Sequence, residues 1–212
     1  MTSKFQRLDI EAELKALSKD KKFAVILKRF APPQLSLSTN AFRSLAHSII
    51  YQQLSGKAAA TIEKRFVALY HPKKFPTPDD VLHTSIPQLR AVGLSGQKSS
   101  YLLDLARKFK DKTVDPKHFH LMTDEEISEH VISVKGIGQW TADMFLIFAL
   151  NRPNVLPTGD LGIQKGAKIF FGLKTLPTPE KLRKLAKPYD GSHTVFSLYL
   201  WKLADEVKKQ QK

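Results

Sequence analysis

Apolar residues recur at intervals of three and four along almost the whole chain, while runs that alternate apolar with polar between hairpin signals are scarce. A chain patterned in this way buries helix stripes, so the expected fold is all-α. In AFRSLAHSIIYQQLS, Phe42, Leu45, Ala46, Ile49 and Ile50 share one face, and Thr39 or Asn40 stands where a helix cap belongs. This spacing predicts a helix over 42–54, with others over 9–18, 20–30, 57–70, 97–110, 124–133, 139–150, 161–171, 179–187 and 193–208. Proline and glycine separate them in APP at 31–33, HPKKFPTP at 71–78, VGLSG at 92–96, VLPTGDLG at 155–162 and PYDGS at 188–192. With 212 residues, 42% of them hydrophobic, the chain can bury one sizeable core or two small ones.

The surface that remains is strongly basic. Lys and Arg number 34 against 20 acidic residues, a net charge of +14, which points to nucleic acid or another polyanion as partner. No cysteine is present, which excludes disulfides, thiolate zinc sites and cysteine-held iron–sulfur clusters together. The segment MTSKFQRLDIEAELKAL lacks the apolar centre of a signal peptide, and no apolar run reaches membrane-spanning length. The expectation is an intracellular protein without a membrane partner. His118 and His120 in KHFH lack a third ligand nearby, so a zinc site is not expected.

One stretch carries more than packing information. In VKGIGQWTAD, residues 134–143, two glycines flank one isoleucine directly ahead of a helical run in which Trp140, Met144, Ile147 and Phe148 are apolar. Glycine permits positive φ and close backbone approach, so the pair suggests a tight hairpin whose N–H groups, with those of the helix N-terminus, face an anion. Such a contact binds phosphate without reading base sequence. The other reading is that Gly136 and Gly138 only end one helix and begin the next.

The wider segment EHVISVKGIGQWTADMFLIFAL resembles the helix-hairpin-helix of the HhH-GPD superfamily of DNA glycosylases, which would occupy about 124–150. VLPTGDLGI then matches the family's Gly/Pro loop and aspartate, with Asp160 as the aspartate. IIYQQLSGKAAATIEKRF is similar to the lesion-side segment of alkylpurine glycosylases of the bacterial AlkA type. LRAVGLSGQKSSYLLDLA and YLWKLADE match further helices, and the resemblance runs from about residue 20 to the C-terminal helix. It implies a compact form with two helical lobes and a cleft between them, residues 1–41 with 153–212 forming one lobe and 42–152 the other.

The resemblance also implies roles. Lys135, Gly136, Ile137, Gly138 and Thr141 would form the phosphate-binding hairpin, and the carbonyls of Ile132, Val134 and Ile137 would hold a monovalent Na+ or K+; no other cofactor is implied. Leu54 would wedge into the gap left by a flipped base, with Gln52, Gln53 and Ser55 beside it on the lesion side. By periodicity alone, Leu54 is equally the last core residue of its helix. Asp160 would stabilise the oxocarbenium ion that forms as the N-glycosidic bond breaks, and orient or deprotonate water; it also stands where a helix cap would. Trp140, Met144 and Trp201 would line the base pocket, the indoles favouring a base made cationic by alkylation. Trp140 replaces the lysine of the strand-cutting members, and an indole cannot form their Schiff base.

The implied activity is a monofunctional DNA glycosylase, a 3-methyladenine glycosylase II type N-glycosyl hydrolase. It would remove 3-methyladenine or 7-methylguanine from double-stranded DNA in base excision repair. It would act as a monomer, in the nucleus of a eukaryote or the cytoplasm of a bacterium. The alternative is a non-catalytic binder of damaged or structured DNA on the same scaffold. Two departures bear on the site: the Met144 position often holds an aromatic residue in the family, and Gly191, Ser192 and His193 stand where an Arg-Ser pair is usual.

Overall fold

The computed structural model describes residues 8–210. Among them lie twelve α-helices and no strand: α1 (Ile10–Leu17), α2 (Lys21–Arg29), α3 (Ala41–Tyr51), α4 (Gly56–Ala68), α5 (Pro78–Leu82), α6 (Ile86–Ala91), α7 (Gly96–Lys110), α8 (Asp124–Ile132), α9 (Gln139–Met144), α10 (Leu161–Phe171), α11 (Pro179–Ala186) and α12 (His193–Gln210). The all-α expectation holds. Most N-termini are closed by a side chain that accepts an amide of the first turn; Asp9, Asp20, Asn40, Ser55, Ser95, Asp160 and Thr178 all do so. Each such cap stabilises its helix by about 1 kcal/mol. No helix among the described residues is long and apolar enough to cross a membrane.

Helices α5 and α6 lie between the separators at 71–78 and 92–96, sharing Pro78 with the first, in a stretch where the apolar spacing predicts no helix. Their own residues explain them. Thr77 with Asp80, and Ser85 with Gln88, form reciprocal capping boxes, and a proline occupies the first turn of each helix. Proline's fixed φ suits that position, so these prolines begin helices as well as separating others. At 139–150, expected as one helix, the chain stays helical to Ala149 but changes type: α9 ends at Met144, a π-helical turn follows directly over Phe145–Ala149, and the Arg152 N–H closes on the Leu146 carbonyl at 2.9 Å.

Two compact units divide the chain, one from the described residues of Met1–Leu37 and Leu146–Lys212, the other Ser38–Phe145. The expected cuts at 41/42 and 152/153 differ from these for a local reason at the first junction. Ser38 Oγ meets Ser44 Oγ at 2.8 Å and Asn40 caps α3, so residues 38–40 belong to the start of that helix.

In the unit Ser38–Phe145, the α3 stripe Phe42, Leu45, Ala46, Ile49 and Ile50 is buried as its spacing requires. It packs on α7, whose Leu102, Leu105 and Ala106 are also buried. In the other unit, Phe23 of α2 is fully buried. Its ring meets those of Phe170, Phe196 and Tyr199 at centroid distances of 5.8, 5.7 and 5.4 Å. Here α10 packs along α12 at close range. A Cβ on Gly166 would lie 2.0 Å from the Leu200 carbonyl oxygen, so only glycine lets the two backbones approach this far.

Candidate functional site

Asp160 heads α10, and its side chain does two things with one oxygen. Oδ1 accepts the Ile163 N–H at 2.8 Å as a helix cap and the Trp201 Nε1–H, also at 2.8 Å. The carboxylate is only half-buried. Trp201 comes from α12 and stacks on Phe148 with ring centroids 5.9 Å apart and planes 26° apart. The indole has room because residue 162 is glycine: a Cβ there would lie 2.7 Å from Trp201 Cδ1 and 3.0 Å from Asp160 Oδ1. Gly162 and Gly166, one helical turn apart in GIQKG, thus face α12 together. The preceding loop is tied down by Asp160 N–H on the Pro157 carbonyl at 3.0 Å and Gln164 Nε2 on the Thr158 carbonyl at 3.0 Å.

The hairpin lies in the other unit. After α8, the Val134 carbonyl accepts the Ile137 N–H at 3.1 Å, and Gly136 takes φ +81°. A Cβ at 136 would sit 2.1 Å from the Tyr101 ring, which packs directly beneath the turn. The two glycines therefore serve different ends. Gly138 has φ −108° and ψ 178°, an extended conformation open to any residue, and no atom outside its chain neighbours lies within 4 Å of an added Cβ. Gly138 is the N-cap of α9 and offers no side-chain cap to the helix. The first amides of such a helix have no acceptor within it and point outward. Lys135 is exposed while its N–H is bound by Asp104 Oδ2 at 2.9 Å; Ile137 and the Thr141 side chain are buried. On α9, Trp140 is 54% exposed and Met144 half-buried, four residues apart on one face.

The lesion-side segment is a turn, since α3 ends at Tyr51 rather than at 54. Leu54 is 40% exposed and is no core residue. Gln53 is exposed at φ +56°, and Ser55 caps α4. Gln52 is half-buried and its amide is engaged inside the protein, donating from Nε2 to the Gly136 carbonyl at 2.8 Å. Residues from two distant parts of the sequence are joined by this bond.

Several supporting residues escape sequence reasoning: Lys98, Tyr101 and Asp104 on α7, and Gly162 and Phe148 around Trp201. The signal for Asp104 was available, because a carboxylate inside LLDLA lies among apolar neighbours and is 7% exposed. The spacing of Gly162 and Gly166 was likewise a readable mark of close helix contact. The departing segment at 189–194 is locally ordered: Asn154 donates to Asp190 Oδ1 at 2.8 Å and accepts the Gly191 N–H at 2.8 Å. Among the described residues no group of three His, Cys, Asp or Glu side chains could hold a metal, and His118 pairs with Asp115 at 3.0 Å.

Comparison with known proteins places these features in one family. Residues 46–190 match the HhH-GPD superfamily of base excision DNA repair proteins. The solved 3-methyladenine DNA glycosylase of Schizosaccharomyces pombe, in complex with abasic DNA, superposes with a TM-score of 0.78 at 30% identity over 90% of this chain and 95% of that one. A DNA-3-methyladenine glycosidase from Bacillus halodurans gives a TM-score of 0.83 at 32% identity, covering 93% of this chain and 91% of that one. The chain is also 30% identical over 184 residues to a Bacillus subtilis relative, covering 84% of this chain and spanning 64% of the relative's length. With the hairpin and the capping aspartate both falling within the matched region, the chain belongs to the HhH-GPD superfamily of base excision DNA repair proteins.

Proposed function

We propose that the protein is a monofunctional DNA glycosylase that flips alkylated purines, of the 3-methyladenine and 7-methylguanine type, out of duplex DNA and hydrolyses their N-glycosidic bond. The observation that carries this reading is Asp160, half-buried with Oδ1 fixed by the Trp201 indole and the Ile163 amide. A carboxylate held in one orientation stabilises positive charge at the sugar as the base departs, without reorganising at that moment. It also orients the attacking water. The electron-rich faces of Trp140 and Trp201 each suit a base that alkylation has made cationic, and Met144 lies four residues from Trp140 on the same face of α9.

The Lys135 and Ile137 N–H groups are bonded within the protein, so the Gly136 and Gly138 amides with those of the first turn of α9 take a phosphate, and Leu54 fills the space left by the flipped nucleotide. Carbonyl oxygens suit a hard monovalent cation, and Val134 keeps a lone pair after accepting the Ile137 N–H. Ile132, Val134 and Ile137 would hold Na+ or K+ there, supplying positive charge toward the phosphate. The protein acts as a monomer, in a DNA-containing compartment.

Incubation with an end-labelled duplex carrying methylated purines tests the reading. Free methylated base should be released, and the strand should stay intact until hot alkali breaks it at the abasic site. Strand cleavage without alkali, with a borohydride-trapped lysine adduct, would contradict the monofunctional mechanism. Tight binding without any base release would instead favour a non-catalytic DNA binder.

A further inference from the structure

The hairpin and the lesion-side turn are separate in sequence, yet one face of α7 holds both. Lys98, Tyr101 and Asp104 follow one another at intervals of three, which brings them to one side of the helix. Asp104 binds the Lys135 N–H, and Tyr101 packs under Gly136. Lys98 serves the other segment: its Nζ donates to the Ile50 carbonyl at 2.6 Å and to the Gln52 carbonyl at 2.7 Å.

Those carbonyls end α3 and have no following helical turn to satisfy them. The positive charge also suits the negative end of the helix dipole. Directly after them Gln53 adopts φ +56°, a conformation that a residue with a side chain occupies at a cost. The turn's own hydrogen bond is long, Leu54 N–H to the Tyr51 carbonyl at 3.4 Å. Lys98 is the cation that fastens this strained turn, and the Gln52 amide then ties it to the Gly136 carbonyl.

We propose that Lys98 is a positioning residue for base flipping: it fixes the Gln52–Ser55 turn so that Leu54 enters the duplex in register with the phosphate held by the hairpin. The inference rests on the wedge role of Leu54 given above. It assigns Lys98 no contact with DNA. The structure makes it a positioning group because both of its donated bonds end on the protein's own backbone.

The experiment compares Lys98→Met, Lys98→Arg, Leu54→Ala and the Lys98→Met/Leu54→Ala double variant with the parent. It uses undamaged duplex, methylated duplex, and a duplex with 2-aminopurine beside an abasic-site analogue. The last reports flipping by fluorescence without bond cleavage. Lys98→Met should keep binding to undamaged duplex, which depends on the hairpin, while slowing single-turnover excision by about 10²-fold, the scale of loss for a misplaced group. It should also abolish the fluorescence change, and Lys98→Arg should restore part of both.

The double variant should be no slower than Leu54→Ala alone, because the two residues act through one step. Losses that multiply, or a fluorescence change that survives in Lys98→Met, would overturn the proposal. A parent protein that gives the fluorescence change but releases no base would sink the glycosylase reading and leave Lys98 to be judged by fluorescence. A parent that gives neither overturns both. Should Lys98→Met fail to fold, Lys98→Gln, which retains a donor, carries the same measurements.

Discussion

Trp201 Nε1 and the Ile163 backbone amide converge on a single oxygen of Asp160, each at 2.8 Å. A residue that could be read as either a helix cap or a catalytic carboxylate is thereby oriented by its capping role. The cap sets the rotamer, and the indole fixes it from a second helix.

Asp160→Asn separates the two roles. Asparagine caps a helix about as well as aspartate and still accepts both N–H groups, so thermal unfolding should barely move. Removing the charge should slow base release by about 10²-fold or more, the loss seen when one electrostatic stabiliser is deleted. Trp201→Phe should keep the stack on Phe148 and produce a smaller loss. Single-turnover excision with calorimetry measures both, and an unaffected Asp160→Asn rate would reduce the residue to its cap.

The two hairpin glycines should respond differently. Gly136→Ala meets both positive φ and the Tyr101 ring, and should cost about 1–3 kcal/mol in stability. Gly138→Ala meets neither, so stability should stay within about 0.5 kcal/mol. Its methyl group would instead occupy open space at the start of α9, where the proposed phosphate approaches. Binding to undamaged duplex should weaken in both variants, equally for all sequences, and titrations against duplexes of differing sequence would show any departure from that.

Leu54→Ala should lower stability by less than about 1 kcal/mol because the side chain is 40% exposed, against 2–5 kcal/mol for a buried leucine. Excision should slow markedly. A normal excision rate in this variant would remove the wedge from the mechanism.

Glu13 of α1 supplies a pH test unrelated to DNA. It is 8% exposed, its Oε2 has no protein partner, and burial followed by the charge of Asp9 pushes its pKa up from 4.5 to about 8. The folded state therefore binds a proton more tightly than the unfolded chain, so its contribution to stability is fully present below about pH 4.5. That contribution is lost as pH rises to about 8, by at most about 1.4 kcal/mol per pH unit. In Glu13→Gln the loss should vanish, and the melting-temperature gap over the parent should widen from pH 5 to pH 8. A constant gap would mean that Glu13 is already charged in the folded protein.

The helical class, the α3 stripe and a cap at Thr39 or Asn40 were legible because each is a local pattern with one dominant cause; the structure selects Asn40. Helices α5 and α6 were obscured because proline both ends and begins helices; only the capping residues Thr77 with Asp80 and Ser85 with Gln88 decide which. Asp160 and Trp201 could be named from the sequence, but not their bond, which joins α10 and α12 across 41 residues. For Gln52 the residue was identified and its partner was not. An amide side chain beside a wedge invites a base contact, whereas here it reaches a carbonyl 84 residues away. Lys98 in a basic chain looks like any solvated lysine until the exposed end of α3 is placed beside it.

Positions 162 and 166 constrain substitution in different ways, although both are glycines on one face of α10. At 166 the obstacle is the Leu200 main chain, which no replacement at residue 200 can remove, so that position is closed whatever surrounds it. At 162 the nearest obstacle is the Trp201 side chain, and a smaller residue at 201 would open it. Change at 162 is therefore conditional: once the indole is gone, the close neighbour left to an added methyl is Asp160 Oδ1 at 3.0 Å, which a shift of a few tenths of an ångström relieves. The order in which a lineage or a selection experiment acquires the two changes is set accordingly, with residue 201 first and residue 162 after it.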